Sequence, residues 1–358
     1  MQRIHIPVVL LFLLVPALSF GAGKECINWA KVMTLQEINA MPQGKVVVVE
    51  SFTDYTKTPG DEWMEAGLPS LAASMLSAST DLRVLSGLQV KYAPEGSGPE
   101  YIISGMFQHV EGGLRVFVKL MAGADRKLLS QYEIVAPYPD NSEMFSDFAA
   151  VTKQIWSFIK VKGDETNLNL VRDQTPSPRA FEAYIKGRQS LESYKMDEME
   201  VAKTWFEQTK RTDYRSPLGY EGLTDLYNFL GYYHKQRGEP FGPYFQQAEA
   251  EISDMTRLAK RPPVVWVMQK KPTKKEKDVL KLTNRFLLGH ASFNEGLIAS
   301  QAGNSEAAAA ALKKAVEYVP EDAIAWYHLS GIYQNLGNAA ESSAAMQKAY
   351  EINPCLGK

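Results

Sequence analysis

The sequence predicts an α+β protein in which a mixed-sheet α/β domain is followed by an all-α region of helical repeats. Two observations predict this fold. Residues 45–162 alternate short strand-like runs with two helical segments, in the order β-α-β-β-β-β-α. Near the C-terminus, a set of small and turn-forming residues recurs at a spacing of 34 residues, which is the length of a two-helix repeat.

The overall composition is that of an ordinary globular protein. The chain has 358 residues, of which 45% are hydrophobic and 22% are charged, and its formal net charge is −2. This length allows two or three domains with a substantial core. The balance of charge indicates neither disorder nor a nucleic-acid partner.

Residues 1–23 have the pattern of a signal peptide. Arg3 precedes an apolar run over residues 6–18, and the small residues that follow allow cleavage after Gly21 or Gly23. The run is too short to span a bilayer comfortably, although an uncleaved anchor is the alternative. We therefore expect an exported, periplasmic protein, with residues 24–44 as a lead-in segment.

The two cysteines, Cys26 and Cys355, lie near opposite ends of the chain. In an oxidising compartment they can form a disulfide, within one chain or between two. Two terminal thiols without a structural role are the alternative, and the sequence does not decide between them.

The α/β domain, residues 45–162, is predicted element by element. Four β-branched residues from Val46 to Val49 are typical of a strand that is buried on both faces. A helix is expected over residues 61–78, with Asp61 as its cap and Pro69 inside it. Further strands are expected at residues 82–85, 101–107, 114–120 and 128–135, and a second helix at residues 142–159.

This segment resembles the amino-terminal domain family of TolB, which precedes repeats in many bacterial proteins. The resemblance rests on the first strand through Phe52, on Gly67-Leu68, and on three runs: Leu82-Arg83-Val84-Leu85-Ser86, Tyr101-Ile102-Ile103-Ser104-Gly105 and Leu128-Leu129-Ser130-Gln131-Tyr132. Ser51-Phe52 stands where usual members have Pro-Phe. The resemblance implies a non-enzymatic module for assembly or protein contact.

The 34-residue spacing is clearest between residues 289–320 and 323–354, and the region 289–358 is expected to hold two repeats. Eight residues of the first repeat recur in the second: Gly303, Asn304, Ala310, Ala311, Lys314, Ala315, Glu317 and Pro320 become Gly337, Asn338, Ala344, Ala345, Lys348, Ala349, Glu351 and Pro354. The pattern resembles the tetratricopeptide type. Such repeats stack and form a curved surface that binds another protein.

The sequence between the α/β domain and these repeats is predicted to contain a linker and further helices. Residues 163–180 are expected to be a polar linker in which Pro176 and Pro178 stop helix formation. Residues 181–260 are expected to be degenerate helices of the same repeat type. Ala202 and Phe206 fit a second helix, and residues 236–243 interrupt the strict period.

Residues 261–288 form a basic inter-repeat segment. Ten Lys or Arg residues and two acidic residues lie between Arg257 and Arg285. One hypothesis is contact with an anionic membrane surface or an acidic partner, through Trp266, Lys270, Lys271, Lys274 and Lys275. The other is a connection whose apolar centre packs on the repeats while its lysines are solvated.

The first helices of the two clear repeats supply the candidate partner-binding residues. Groove positions are expected at His290, Phe293, Leu297, Gln301, Ile324, Tyr327, Gln334 and Asn335. Amide side chains can bond an extended peptide, and aromatic rings can hold its side chains. The alternative is that this face packs on another part of the same chain.

The sequence shows no motif for catalysis, for a metal or for a cofactor. The five histidines are scattered, and no His-x-x-x-His, Cys-x-x-Cys or phosphate-binding glycine pattern occurs. We therefore predict a non-catalytic, exported scaffold or adaptor with protein partners in the cell envelope. The alternatives are a small-molecule or glycan-binding module with a cleft between the two regions, and an unrecognised hydrolase.

Overall fold

The computed structural model describes residues 44–79, 81–86, 98–138, 142–165, 168–169, 174–175, 177–259, 285–320 and 322–352. The predicted signal peptide, the lead-in segment up to residue 43, both cysteines and the Trp266 and lysine positions of the basic segment lie outside these residues. Among the helices described, none is long and apolar enough to cross a membrane.

The N-terminal half of the described chain is the predicted mixed-sheet domain. Its elements are β1 (Lys45–Asp54), α1 (Met64–Leu76), β2 (Leu82–Ser86), β3 (Tyr101–Val110), β4 (Gly113–Ala122), β5 (Leu128–Pro137) and α2 (Glu143–Ile159). The strand order in the five-stranded sheet is β2-β1-β3-β4-β5. Strand β1 pairs in parallel with β2 and β3, whereas β3, β4 and β5 are antiparallel, so the predicted element order and mixed sheet are confirmed.

Side-chain alternation explains which face of the sheet is covered. Leu114, Val116 and Leu120 of β4 point to the same side and are fully buried. They join residues of α1 and α2 in one apolar core. Arg115 and Lys119, which alternate with them, are partly exposed, as expected for a strand with one face on the core.

The start of α1 differs from the prediction. The helix begins at Met64 and its N-cap position is Trp63, which makes no side-chain capping bond. Asp61 is not the cap. Its carboxylate accepts a hydrogen bond from the Tyr138 hydroxyl at 3.1 Å and is paired with the His109 imidazole. The Asp61 side chain therefore makes long-range polar contacts, although local sequence rules predict that it caps the helix.

The C-terminal half is all helical. Its elements are α3 (Pro178–Glu192), α4 (Met196–Thr212), α5 (Leu218–Gln236), α6 (Gly242–Ala259), α7 (Arg285–Gln301), α8 (Ser305–Tyr318), α9 (Ala323–Asn335) and α10 (Ala339–Ile352). Consecutive helices pair as hairpin 1 (α3 and α4), hairpin 2 (α5 and α6), hairpin 3 (α7 and α8) and hairpin 4 (α9 and α10). We call the first helix of each hairpin its A helix and the second its B helix.

The four turns between A and B helices share one backbone conformation. In each turn, the second residue after the end of the A helix has a positive φ: Tyr194 (56°), Gly238 (70°), Gly303 (80°) and Gly337 (76°). In hairpins 2, 3 and 4, the next backbone N–H donates to the carbonyl five residues earlier, at 2.9–3.0 Å. This is the Schellman arrangement that satisfies the last carbonyl groups of a helix.

The A helices also share a small residue seven positions before that turn residue. Gly187, Gly231 and Gly296 hold this place in hairpins 1 to 3, and Ser330 holds it in hairpin 4. A Cβ atom on the three glycines would lie 2.5–2.6 Å from a B-helix side chain. The close approach of the two helices explains the small residue, and this position aligns all four hairpins.

Helix α3 joins the helical region to the α/β domain. The Phe181 ring makes edge contacts with Trp63 and Phe145 at centroid distances of 6.3 and 5.7 Å. Ile185, one turn further along α3, is 4% exposed and belongs to the core of the α/β domain. The two regions are therefore packed together through apolar side chains.

The predicted role of Pro178 is wrong. Pro178 is the first residue of α3, and the Ser177 hydroxyl caps the helix by accepting from the Ala180 backbone N–H at 3.2 Å. Proline suits the first helical position because the N–H that it lacks would have no partner within the helix. The end of the expected 163–180 linker is thus already helical.

Candidate protein-interaction surface

The A helices of successive hairpins are linked by a buried ionic network. The carboxylate of Asp225 on α5 is paired with the Arg188 guanidinium of α3 and with the His290 imidazole of α7. The N–O distances are 2.8 and 2.9 Å. The side chain of Asp225 is only 4% exposed. One carboxylate therefore connects the A helices of three hairpins.

The environment of Asp225 keeps it ionised. Burial by itself would raise the pKa of this carboxyl group, but the charges and hydrogen bonds of His290 and Arg188 outweigh burial and lower it. Arg188 is further paired with Glu192 one turn along its own helix, at 3.2 Å. The interactions with Arg188 and His290 offset the cost of burying the carboxylate.

Amide and lysine side chains add further links between α5 and α7. The Asn228 amide donates to the Asn294 side-chain oxygen, and Asn294 donates to the His290 carbonyl at 3.1 Å. Lys235 donates to the carbonyl and side-chain oxygens of Gln301 at 2.8 and 2.7 Å. We call the surface that the A helices form together the A-helix face. In hairpins 2 and 3, many polar groups of this face are hydrogen-bonded to other residues of the chain.

The groove position predicted for three of the candidate partner-binding residues is wrong. Phe293, Leu297 and Ile324 are 0%, 5% and 1% exposed and form part of the core between hairpins 3 and 4. Their apolar side chains are buried against the neighbouring helices. These side chains support the surface from inside the protein and are not accessible to a partner.

Two more of the predicted residues are partly buried and bonded within the chain. These are His290, which is paired with Asp225, and Gln301, which is bonded to Lys235. For them, the alternative that this face packs on another part of the chain describes the structure.

The remaining three predicted residues lie at the C-terminal end of the A-helix face. Tyr327 is partly buried, whereas Gln334 and Asn335 are exposed. Burial, together with the neighbouring Tyr350, raises the pKa of the Tyr327 hydroxyl. Contact of these three residues with a partner stays a prediction.

Beside Tyr327 lies an uncharged histidine. The His328 ring contacts the Phe293 ring edge-on at 5.6 Å and the Tyr327 ring at 6.2 Å. Burial among these side chains penalises the imidazolium form and lowers the pKa of His328 to about 4. The part of the A-helix face that α9 forms is therefore uncharged and aromatic at neutral pH.

Sequence reasoning missed Arg188, Asp225, Asn228 and Asn294. Gly187, Gly231 and Gly296 would have aligned the A helices, but 44 and 65 residues separate them instead of 34. Once aligned, Asp225 and His290 occupy the same place in consecutive A helices. The three glycines could have revealed this alignment, but the segments between the A helices differ in length and obscure it.

The α/β domain holds a second polar cluster, in which Asp61 binds both Tyr138 and His109. Burial and the nearby Asp61 charge raise the pKa of the Tyr138 hydroxyl. The His109 and Tyr138 rings meet edge-on at 5.4 Å. Among the described residues, no group of three or more His, Cys, Asp or Glu side chains could hold a metal ion.

Comparison with known proteins identifies the C-terminal hairpins. Residues 289–322 and 323–354 match the family model of the tetratricopeptide repeat. The chain therefore contains two tetratricopeptide repeats, in hairpins 3 and 4, as the 34-residue spacing predicts. No curated protein matches the chain.

Two solved structures of PelC from Paraburkholderia phytofirmans are similar to part of the chain. A dodecamer of a single-residue variant is 19% identical, with a TM-score of 0.24, and the match covers 34% of this chain and 92% of PelC. A PelC dodecamer in another crystal form is 21% identical, with a TM-score of 0.23, and covers 33% and 89%. At these TM-scores the likeness supports no conclusion about the present chain.

Proposed function

We propose that the protein is a non-catalytic scaffold or adaptor that binds a protein partner through the C-terminal end of its A-helix face. The observation that carries the proposal is the stack of helical hairpins ending in two tetratricopeptide repeats. Repeats of this type indicate protein–protein interaction, because each hairpin adds a helix to a continuous surface.

The distribution of internal bonds supports a contact on α9. Between hairpins 2 and 3, the polar groups of the face are already paired with each other. On α9, the exposed Asn335 amide follows the partly buried Tyr327 ring by eight residues, which is about 12 Å along the helix axis. An amide and an aromatic ring at this spacing fit an extended peptide, whose backbone bonds the amide while another of its side chains packs on the ring.

We further propose that the scaffold acts in the cell envelope. The signal-peptide pattern of residues 1–23 and the resemblance of residues 45–162 to the TolB amino-terminal domain support this location. In this view the α/β domain docks on an envelope assembly and the repeats recruit a second protein. The basic segment, residues 261–288, is proposed to contact an anionic surface at the same membrane.

The junction between the two regions favours the scaffold over a cleft for a small molecule. Phe181, Trp63 and Phe145 are at most 7% exposed and pack against one another at that point. Apolar packing fills the place where the alternative function expects a ligand pocket.

A matched pair of arginine substitutions tests the proposed function. Asn335→Arg changes an exposed amide on α9, and Gln247→Arg changes an exposed amide on the B helix α6. Both variants and the unchanged chain are used as baits in cells that naturally produce the protein, and captured proteins are quantified by mass spectrometry. We expect Asn335→Arg to deplete one partner at least about tenfold, which corresponds to 1.4 kcal/mol of binding.

The control sets the standard for this result. Gln247→Arg should retain the partner at the level of the unchanged chain, since it adds the same charge away from the A-helix face. Equal capture by all three baits, or equal loss in both variants, would remove the support for a binding surface on α9.

A further inference from the structure

The apolar core of the helical region is divided between hairpins 2 and 3. One cluster of buried side chains runs through hairpins 1 and 2, and a second cluster runs through hairpins 3 and 4. Among the described residues, the buried members of the first cluster that lie on α7 are Ala291 and Ile298. The helical region therefore consists of two apolar units, one made of hairpins 1 and 2 and the other of hairpins 3 and 4.

Within each unit, the junction between hairpins is packed through large apolar side chains. Between hairpins 1 and 2, the Phe206 ring of α4 lies against Gly222 of α5, where a Cβ atom would be 2.3 Å from the ring. Between hairpins 3 and 4, Phe293 of α7 and Leu329 of α9 belong to the same buried cluster and are at most 1% exposed. Apolar contacts thus hold each unit together.

The junction between the two units is polar along its A helices. Three residues of α5 are bonded in order to three residues of α7: Asp225 to His290, Asn228 to Asn294, and Lys235 to Gln301. We call these six residues the polar seam. Its centre is buried, since Asn228 and Asn294 are 4% and 3% exposed.

A polar seam costs less to open than an apolar junction does. Its groups exchange their bonds within the chain for bonds to water, whereas exposure of an apolar side chain to water has no such compensation. The Asp225 carboxylate would keep the Arg188 guanidinium of α3 as its partner, because both residues belong to the same unit. Burial lowers the pKa of the Lys235 ammonium, so access of water to this group favours its charged form.

We propose that the polar seam is a hinge, and that hairpins 3 and 4 move about it as one body relative to the rest of the chain. The two apolar units stay intact while the seam opens and closes. The proposed partner surface on α9 lies in one unit, and the α/β domain is joined to the other through α3. Each opening therefore changes the distance between the two parts of the molecule that we propose as contact surfaces.

Distances between pairs of spin labels on exposed B-helix positions test the hinge. The full chain, with its two cysteines changed to serine, is labelled across the seam at Gln247 of α6 and Lys314 of α8. The control pairs lie within the units, at Gln208 with Gln247 and at Lys314 with Ala344. Pulsed electron spin resonance should give two distances across the seam and one narrow distance for each control pair.

Leucine substitutions in the seam show whether its polar groups set the equilibrium. Asn228→Leu alone leaves the buried Asn294 amide without its donor and should increase the open population. Asn228→Leu together with Asn294→Leu makes the centre apolar at nearly the same volume, and should lower the open-to-closed ratio at least about tenfold, which corresponds to about 1.4 kcal/mol. The circular dichroism spectrum and the control distances should stay unchanged, which separates opening from unfolding.

Two results would overturn the hinge. One is a single narrow distance across the seam in the unchanged chain. The other is an open population that the paired leucine variant leaves unaltered. The measurement needs no partner, so it stands apart from the capture experiment at Asn335.

Discussion

Mild acid should weaken the helical repeats through one residue, His328. Burial lowers the pKa of His328 to about 4 in the folded protein, against 6.5 for an ordinary histidine. Between these values the unfolded chain binds a proton that the folded chain does not, so stability falls as the pH falls. At pH 5.0, the two pKa values give a loss of about 2 kcal/mol relative to pH 7.5.

The position of His328 within the repeat supplies its control. Asn294 occupies the equivalent place 34 residues earlier, so the repeat accepts asparagine there. We expect His328→Asn to remove this proton linkage without changing the rest of the chain. The difference between the two proteins therefore isolates His328.

The assay is urea unfolding followed by circular dichroism at pH 7.5 and 5.0. The unchanged protein should lose about 2 kcal/mol more than His328→Asn between these two pH values. An equal pH dependence in both proteins would refute the assigned burial of the imidazole.

Substitutions at three further positions test how the fold is stabilised. Gly337→Ala should cost about 1 kcal/mol in urea unfolding, since its Cβ meets no atom within 4 Å and only the positive φ of 76° opposes it; an unchanged midpoint would contradict this. Phe181→Ala should cost about 3–5 kcal/mol and make the segment before α3 more sensitive to limited proteolysis, whereas Phe181→Leu should cost much less. Asp225→Ala should cost about 3–5 kcal/mol at pH 7.5 because it removes the buried carboxylate that both Arg188 and His290 contact, and a thermal midpoint near that of the unchanged protein would show the network to be dispensable.

The parts of the fold that the sequence predicts are those set by local patterns. Alternation along β4 places Leu114, Val116 and Leu120 on the core face, and the structure confirms it. The recurrence of Gly303-Asn304 as Gly337-Asn338 predicts two tight turns, and both glycines have positive φ. In each case a few neighbouring residues determine the outcome.

Where longer-range contacts decide, the sequence pattern fails. Asp61 looks like a helix cap, but its bonds go to Tyr138 and His109, 77 and 48 residues away. These two partners can be recognised only in the packed structure. Pro178 is a different case: Ser177 followed by proline is a local signal for the start of a helix, and Pro178 is the first residue of α3.

The candidate surface shows the same division. The sequence identifies the helices that carry the candidate positions but cannot tell which of their residues are buried, since burial depends on how far consecutive hairpins overlap. Phe293 and Ile324 therefore belong to the core, although their spacing fits a groove. In hairpin 1, Tyr194 takes the turn position that glycine holds elsewhere, which hides that repeat from a search for its signature.

In the proposed function, the α9 end of the A-helix face binds a protein partner. Site-specific photo-cross-linking at Asn335, in cells that naturally produce the chain, tests it most directly, with Gln247 on α6 as the matched exposed position. We predict one reproducible adduct with a different protein from Asn335 and none from Gln247. An Asn335 position that gives no adduct, or the same adducts as Gln247, would contradict the claim.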